Sequence, residues 1–156
     1  MTVVVKLIME AFLSYVATIC FGILMNIPLD AYNLAGLIGA GSWVIYCILY
    51  FHLHIGLALS NLLAAVLISI FSMLAARKCK QPMIVFNVPA LVTFVPGGQA
   101  YRMVRNFVLG NNTQAFVFLY QVFVIAGAIT LGFGVGEMIN HALFRRKKIQ
   151  GFSNRL

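Results

Sequence analysis

Two prolines and a glycine pair interrupt an apolar stretch of this chain, at Pro89 and at Pro96-Gly97-Gly98. Proline removes a backbone donor and clashes with the preceding helical turn, and a glycine pair makes continued helix still less favourable. In hydrocarbon, unwound backbone persists only where protein or a water-filled cavity satisfies its polar groups. We therefore predict that residues 83–108 form a helix broken at these positions. The alternative is a proline kink that serves packing alone.

The apolar composition assigns the chain to the membrane. Of its 156 residues, 62% are hydrophobic and 9% are charged, whereas a soluble domain carries about 25% charged residues. At about 20 residues per transmembrane helix, the length allows four or five spans and no separate soluble domain. We expect an all-α integral membrane protein, with a single transmembrane domain over residues 1–144 and a basic cytoplasmic tail over residues 145–156.

Five apolar segments are predicted to cross the membrane, the fourth being the broken one. In the first segment Lys6, Glu10, Ser14 and Thr18 recur every four residues, which predicts a polar helix face that packs against protein rather than lipid. The second and fifth segments are rich in glycine, which favours close helix packing. The five segments cover about residues 3–25, 34–51, 57–75, 83–108 and 114–143.

Two basic clusters predict the orientation in the cell membrane. One comprises Arg77, Lys78 and Lys80, and the other covers residues 145–148; both are expected in the cytoplasm, in contact with anionic lipid. An even number of crossings must separate them, so the broken segment must itself cross, and the N-terminus is expected outside. Nucleic-acid binding is not expected, because a basic patch needs a soluble surface to present it.

The broken segment carries the candidate substrate site. A helix that restarts after Gly98 would direct free N–H groups towards the unwound stretch, which suits an anion. Arg102, one turn inside that helix, could add a charge-assisted hydrogen bond to a carboxylate. Nearby amide and hydroxyl groups add neutral hydrogen-bonding capacity, although any anion would satisfy such a set. The predicted substrate-binding residues are Asn87, Pro89, Pro96, Gly97, Gly98, Gln99, Tyr101 and Arg102.

Three titratable residues are candidates for proton coupling: Glu10, Glu137 and His141. Glu10 can pair with Lys6 at i,i+4. Glu137 and His141 are also four residues apart, and the alternative for them is a stabilising pair near the membrane interface.

No catalytic, metal or cofactor site is predicted. Cys20, Cys47 and Cys79 have no CxxC spacing and no histidine at metal-ligand spacing. Cys20 and Cys47 are interpreted as small apolar fillers. The sequence also lacks an HExxH motif, paired aspartates, and a Ser–His or Ser–Lys arrangement at one depth. An enzyme is therefore not expected.

Three stretches of the sequence carry a resemblance to a known family: GLIGAGSWVIY at 36–46, AARKCKQP at 75–82 and VPALVTFVPGGQAY at 88–101. They resemble the C-terminal half of the threonine/serine exporter family. That half looks like the stand-alone small subunit of split exporters, some of which are associated with succinate export. The resemblance implies a permease of two polypeptides, this chain and a larger membrane partner that contributes a soluble portion and further spans.

The predicted function is that of a membrane subunit in a two-component secondary exporter of small carboxylates. The substrate would be threonine or serine, or a dicarboxylate such as succinate, and export would be linked to protons. Transporters commonly join two repeat units around a midplane site, so a hetero-oligomer with the larger subunit or several copies of this chain is expected. The alternative is a non-transporting membrane scaffold or assembly factor.

Overall fold

The structure, a computed structural model, describes residues 3–153, with side chains described for residues 3–142. Within that range the chain is helical and contains no strand, which confirms the all-α prediction. A short 3-10 turn, Leu29–Ala31, leads into the second helix, and a π-helical stretch, Ile48–His52, extends it. The six α-helices are α1 (Val3–Leu24), α2 (Tyr32–Cys47), α3 (Leu57–Cys79), α4 (Ile84–Leu91), α5 (Gly97–Val108) and α6 (Asn112–Ser153).

Four stretches among the described residues are long and apolar enough to cross a membrane: Val3–Leu24, Leu29–His52, Leu57–Cys79 and Asn112–Ala142. They correspond to the first, second, third and fifth predicted segments. Five spanning helices and a single broken fourth helix are not confirmed, because residues 83–108 form α4 and α5, of 8 and 12 residues. At 1.5 Å per residue these are about 12 and 18 Å long, short of the roughly 30 Å hydrocarbon core.

The gap between α4 and α5 has a local cause at Pro96. Proline has no N–H to donate, and it disfavours helical geometry at the residue before it. The helix accordingly ends at Leu91, residues 92–96 form turns, and α5 begins at Gly97. Pro96 and the glycines after it thus divide the segment into two short helices, whereas the predicted break at Pro89 is wrong, because Pro89 lies inside α4.

Helices α1 and α2 form a closely packed antiparallel pair. Gly36 lies against the ring of Tyr15 and the side chain of Ile19, and Gly39 lies against Thr18, so a Cβ at either glycine would overlap its neighbour. Ser14 and Thr18 are buried. This confirms, for these two residues, that the polar face of α1 packs against protein.

Helices α3 and α6 pack side by side and run parallel. A Cβ on Gly132 would lie 2.5 Å from the carbonyl oxygen of Leu62, and one on Gly136 would lie 2.5 Å from the Cβ of Ser69. Four residues further along α6, the Asn140 amide donates to the backbone carbonyl of Ser69 at 3.3 Å. At this contact the residue numbers increase in the same direction along α3 and α6. The segment between the two helices must therefore lead the chain from the end of α3 back to the level of its start.

Helix α6 extends well beyond the start of α3. Gly132, the twenty-first residue of α6, faces Leu62, the sixth residue of α3. Asn112 therefore begins about 22 Å above the level at which α3 starts. This projecting part of α6 is covered by α5, since the Phe107 and Phe116 rings meet at 5.6 Å in a T-shaped contact. Helix α5 itself contains no buried residue.

Helix α4, in contrast, packs among α1, α2 and α3. Phe86, Pro89 and Ala90 are buried on it, and Phe94 follows in the turn. The Phe94 ring lies 5.4 Å from that of Trp43 and 5.9 Å from that of Tyr46 on α2. Through α4 and residues 92–96 the chain therefore returns through the body of the bundle, before α5 leaves it.

Both basic clusters belong to one end of the bundle. Gly136 on α6 faces Ser69 on α3, and Arg77 follows Ser69 by eight residues. Helix α6 continues to Ser153, so eight residues beyond Gly136 it reaches the level of Arg77. Residues 145–148 on the helical backbone are therefore at the level of Arg77–Lys80, and Val3 lies at the opposite end. The predicted tail, residues 145–156, lies outside the residues whose side chains are described, and the boundaries of the predicted domain stay a prediction.

Candidate functional site

A cavity of about 380 Å³ separates α4 from α6 at the height of Gly136. Helix α4 supplies one wall because it is held by α2 and α3 rather than packed directly on α6. Asn87 and Glu137, predicted respectively for substrate binding and for proton coupling, both line this cavity. The complete lining is Met83, Ile84, Asn87, Val88, Leu91, Phe133 and Glu137.

Asn87 lines the cavity with a polar side chain. Its side-chain oxygen, Oδ1, is buried and has no hydrogen-bond partner within the described part of the chain. Leaving a polar group buried without a partner costs about 1–3 kcal/mol. Because this oxygen has almost no accessible surface, a donor group in the cavity would reach it only after the Asn87 side chain rotates.

Glu137 contributes the charge of the cavity. Its side chain is exposed, and it has neither an ion-pair nor a hydrogen-bond partner among residues 3–142. The predicted pairing with His141 is therefore not formed, and His141 is exposed and does not line the cavity. Because neither lysine nor arginine is found in the lining, a carboxylate here is free to meet a cationic group.

Glu137 lies at a distance from the basic end of the bundle. Glu137 follows Gly136, which faces Ser69, and Arg77 at the end of α3 is eight residues beyond Ser69. Eight helical residues correspond to about 12 Å. An ionisable side chain that far inside an apolar helix is a default candidate for a functional site.

Glu10 belongs to a different place, between α1 and α2. Its carboxylate lies 3.9 Å from the Lys6 ammonium, which confirms the expected i,i+4 pair. The Cys47 thiol donates to the other oxygen of Glu10 at 3.0 Å. The interpretation of Cys47 as an apolar filler is therefore wrong, since its thiol serves as a donor, and Cys20 is exposed rather than filling the interior.

The α5 residues of the predicted site stand apart from the cavity. A Cβ on Gly97 or Gly98 would meet nothing within 4 Å, and α5 begins without a side-chain cap. Tyr101 is 68% exposed, and the Arg102 guanidinium lies 5.8 Å from the Phe118 ring centroid. Phe118 precedes Glu137 by nineteen residues on α6, which is about 28 Å.

The predicted substrate residues are thus divided between two locations. Asn87 lines the cavity, whereas Pro89 is buried within α4 and faces the core. Pro96, Gly97, Gly98, Gln99, Tyr101 and Arg102 lie at the start of α5 or on it. A single amino acid could not contact both groups at once.

Sequence reasoning missed the apolar wall of the cavity and the lack of hydrogen-bond partners at several buried hydroxyls. Phe133, one helical turn before Glu137, could have been identified from its i,i+4 spacing. The hydroxyls of Ser14, Ser42 and Ser72 are buried without a partner in the described residues. Nothing in the sequence distinguishes these serines from Ser69, which accepts from Asn140.

The described residues do not form a cluster of metal-ligating side chains. No group of three or more His, Cys, Asp or Glu residues comes together among the described residues. The functional interpretation therefore depends on the cavity, the unwound segment and the membrane-spanning helices.

Comparison with known proteins identifies the family. The family model described as threonine/serine exporter, ThrE, matches residues 10–139, which is most of the chain. This range includes the cavity, the unwound segment and all of α2–α5. No curated protein and no solved structure matched the chain. From the extent of the family match, with four apolar helices, this chain is a multi-pass membrane protein that belongs to the threonine/serine exporter family.

Proposed function

We propose that this chain is the membrane subunit of a proton-linked secondary exporter that moves threonine or serine out of the cell together with a larger membrane partner. The observation that carries the proposal is the cavity between α4 and α6. It is lined by the carboxylate of Glu137, which has no ion-pair partner among residues 3–142, and by the amide of Asn87. Family membership supports the assignment as an exporter component.

The charge in the cavity favours an amino acid over a dicarboxylate. The ammonium group of threonine or serine can pair with Glu137 and, once the Asn87 side chain rotates, donate to its oxygen. Succinate has no cationic group, and two carboxylates beside Glu137 would repel it. Arg102 on α5 could attract a carboxylate of either substrate, so a dicarboxylate such as succinate is the second candidate and depends on that arginine.

Glu137 is also the best candidate for proton coupling. A carboxylate that pairs with the substrate ammonium in one state and takes a proton in the other links the two movements, because a protonated carboxyl no longer carries the charge that attracts the ammonium. Glu10 lies between α1 and α2 with Lys6 beside it. It is the second candidate for coupling, and His141, outside the cavity, is the third.

The proposed arrangement in the membrane follows the charge bias. With Arg77–Lys80 in the cytoplasm, Val3 lies towards the outside and the chain after Ala142 is cytoplasmic. We propose that α4, residues 92–96 and α5 carry the chain back across, and that the projecting α5–α6 hairpin reaches the outer side. Parallel α3 and α6 support this path, since the chain must return between them.

A partner is proposed because one copy presents its polar groups at its surface. Glu137, Tyr101 and Arg102 are all exposed in the single chain, yet a substrate path through hydrocarbon must be enclosed. A larger exporter subunit, or further copies of this chain, would cover them. The competing function, a scaffold that does not transport, requires no ligand at Glu137.

Replacing Glu137 by glutamine tests the proposal. We expect Glu137→Gln to lower threonine export at least about tenfold, since losing a charge-assisted hydrogen bond costs about 1.5–3 kcal/mol, while membrane abundance stays near wild type. Asp30→Asn, the same carboxylate-to-amide change at an exposed residue outside the cavity, is the matched control and should export normally. The measurement is threonine release from cells that carry both subunits, normalised to the membrane level of each variant. Full export by an abundant Glu137→Gln protein would favour the scaffold instead.

A further inference from the structure

We infer that the chain holds one anionic phospholipid of the cytoplasmic leaflet in a groove between α2 and α3. The groove has a volume of about 420 Å³ and an apolar lining. It lies away from the α4–α6 cavity and shares no lining residue with it. The lining includes Leu34, Leu37, Ser42, Phe71, Leu74 and Lys78.

The position of the groove matches one leaflet. Only residues 53–56 separate the end of the π-helical stretch from α3, so the two elements are antiparallel, and the start of α2 lies beside the end of α3. On α2 the lining runs from Leu34 to Ile45, eleven residues or about 16 Å. Half of a hydrocarbon core of about 30 Å is about 15 Å. The groove therefore extends from the basic end of the bundle to mid-membrane.

The groove suits an acyl chain because its lining is apolar from the basic end towards the middle of the bundle. Small residues keep the groove open: Gly41 lines it, and a Cβ there would meet nothing within 4 Å. An extended hydrocarbon chain is thin enough to enter.

The charge at the mouth selects the headgroup. Lys78 lines the groove at its cytoplasmic end, is exposed, and has no ion-pair partner among the described residues. Lys80 follows in the same basic cluster but does not line the groove. An ammonium group above an apolar groove complements a phospholipid with net negative charge, and basic pockets between helices on the cytoplasmic side bind such headgroups.

Lipid titration followed by native mass spectrometry tests the inference on the full-length chain in detergent. The probes are phosphatidylglycerol and phosphatidylcholine with identical acyl chains. We expect the first bound molecule of phosphatidylglycerol to bind at least about tenfold more tightly than phosphatidylcholine, as one charge-assisted contact predicts. Lys78→Gln should abolish that preference, whereas the matched control Lys80→Gln should keep it.

A second pair of variants tests the groove itself. Gly41→Leu should fill it and weaken binding of both lipids, while Gly127→Leu, at another glycine with open space around its Cβ, should leave binding unchanged. Equal affinities for the two lipids, or an unchanged preference in Lys78→Gln, would overturn the inference. So would a photocrosslinker at Leu37 that captures a polypeptide instead of lipid in membranes, because the groove would then be a protein interface.

Discussion

Of the two short helices between α3 and α6, α4 buries Phe86, Pro89 and Ala90, whereas α5 buries no residue at all. The sequence of α4 is apolar except for Asn87, and the helix lies among α1, α2 and α3. Helix α5 carries Gln99, two arginines and Asn106, and it packs on the projecting part of α6. A continuous stretch of sequence thus supplies one element to the core and another to the surface.

The difference shows that the two prolines act differently. Pro89 lies inside α4 and is itself packed in the core, where other helices stabilise it despite the lost hydrogen bond. Pro96 stands where the helix has already ended, and a side chain added at Gly97 or Gly98 would point into open space. Pro89 is explained by packing, while the glycine pair is left available to a ligand or a partner.

The largest expected effect concerns the side of the membrane on which α5 ends. If residues 83–108 carry the chain across, Asn111 lies outside and Gln81 lies in the cytoplasm. In a chain without its native cysteines, Asn111→Cys should react fully with a membrane-impermeant thiol reagent added to intact cells, and Gln81→Cys should not react. Both thiols should react after the cells are opened.

Labelling of neither position in intact cells would show that both loops lie on the cytoplasmic side. The segment would then enter the membrane and return to the same side. In that case α4 and α5 would be the two arms of a re-entrant loop.

The glycine pair predicts a loss of function without a loss of protein. Gly97→Leu places its side chain in open space, so we expect near-normal abundance, yet export should be abolished because the space beside the unwound backbone is filled. Ala90→Leu, in the core half, is the matched variant; overpacking there costs about 1–3 kcal/mol and should lower abundance. Export normalised to membrane level, with abundance measured separately, distinguishes the two. An abundant and fully active Gly97→Leu protein would remove α5 from the site.

Much of the fold could be predicted because the length of an apolar segment and the positions of its glycines can be read from a short stretch of sequence. The four long helices, the close contacts of Gly36 and Gly39, and the end of a helix before Pro96 follow from sequence. The division of residues 83–108 could not be predicted in the same way. It depends on which residues find a core partner, as Phe94 does with Trp43 and Tyr46.

The candidate site was predicted in its residues more than in its geometry. Asn87 and Glu137 were both identified, but as members of different sets, because they are fifty residues apart in sequence and meet only through the cavity. Arg102 was placed with Asn87 since both flank the break. The sequence does not show that Arg102 packs beside Phe118, far along α6 from the cavity that Asn87 lines.

The two halves should also differ in their contribution to stability. Phe86 is fully buried, and Phe86→Ala should reduce the free energy of unfolding by about 3–5 kcal/mol. Phe107, 40% exposed and in contact with Phe116, should lose only about 0.5–1.5 kcal/mol in Phe107→Ala, the value of an aromatic pair. Unfolding of the purified proteins in detergent, followed by near-ultraviolet circular dichroism against denaturant, gives both values. Equal losses would mean that α5 is packed as firmly as α4.

The smallest expected effect separates two arginines on α5. Arg102 lies one turn inside the helix, near the glycine pair, whereas Arg105 is in its last turn. If Arg102 attracts the substrate carboxylate, Arg102→Gln should lower export about tenfold to a hundredfold, which corresponds to about 1.5–3 kcal/mol. Its contact with the Phe118 ring is worth about 0.5–1 kcal/mol at an exposed site, so abundance should change little. Arg105→Gln, the matched control, should export nearly as well as wild type. If both variants export equally, no step of export depends on an attraction between α5 and the carboxylate of the substrate.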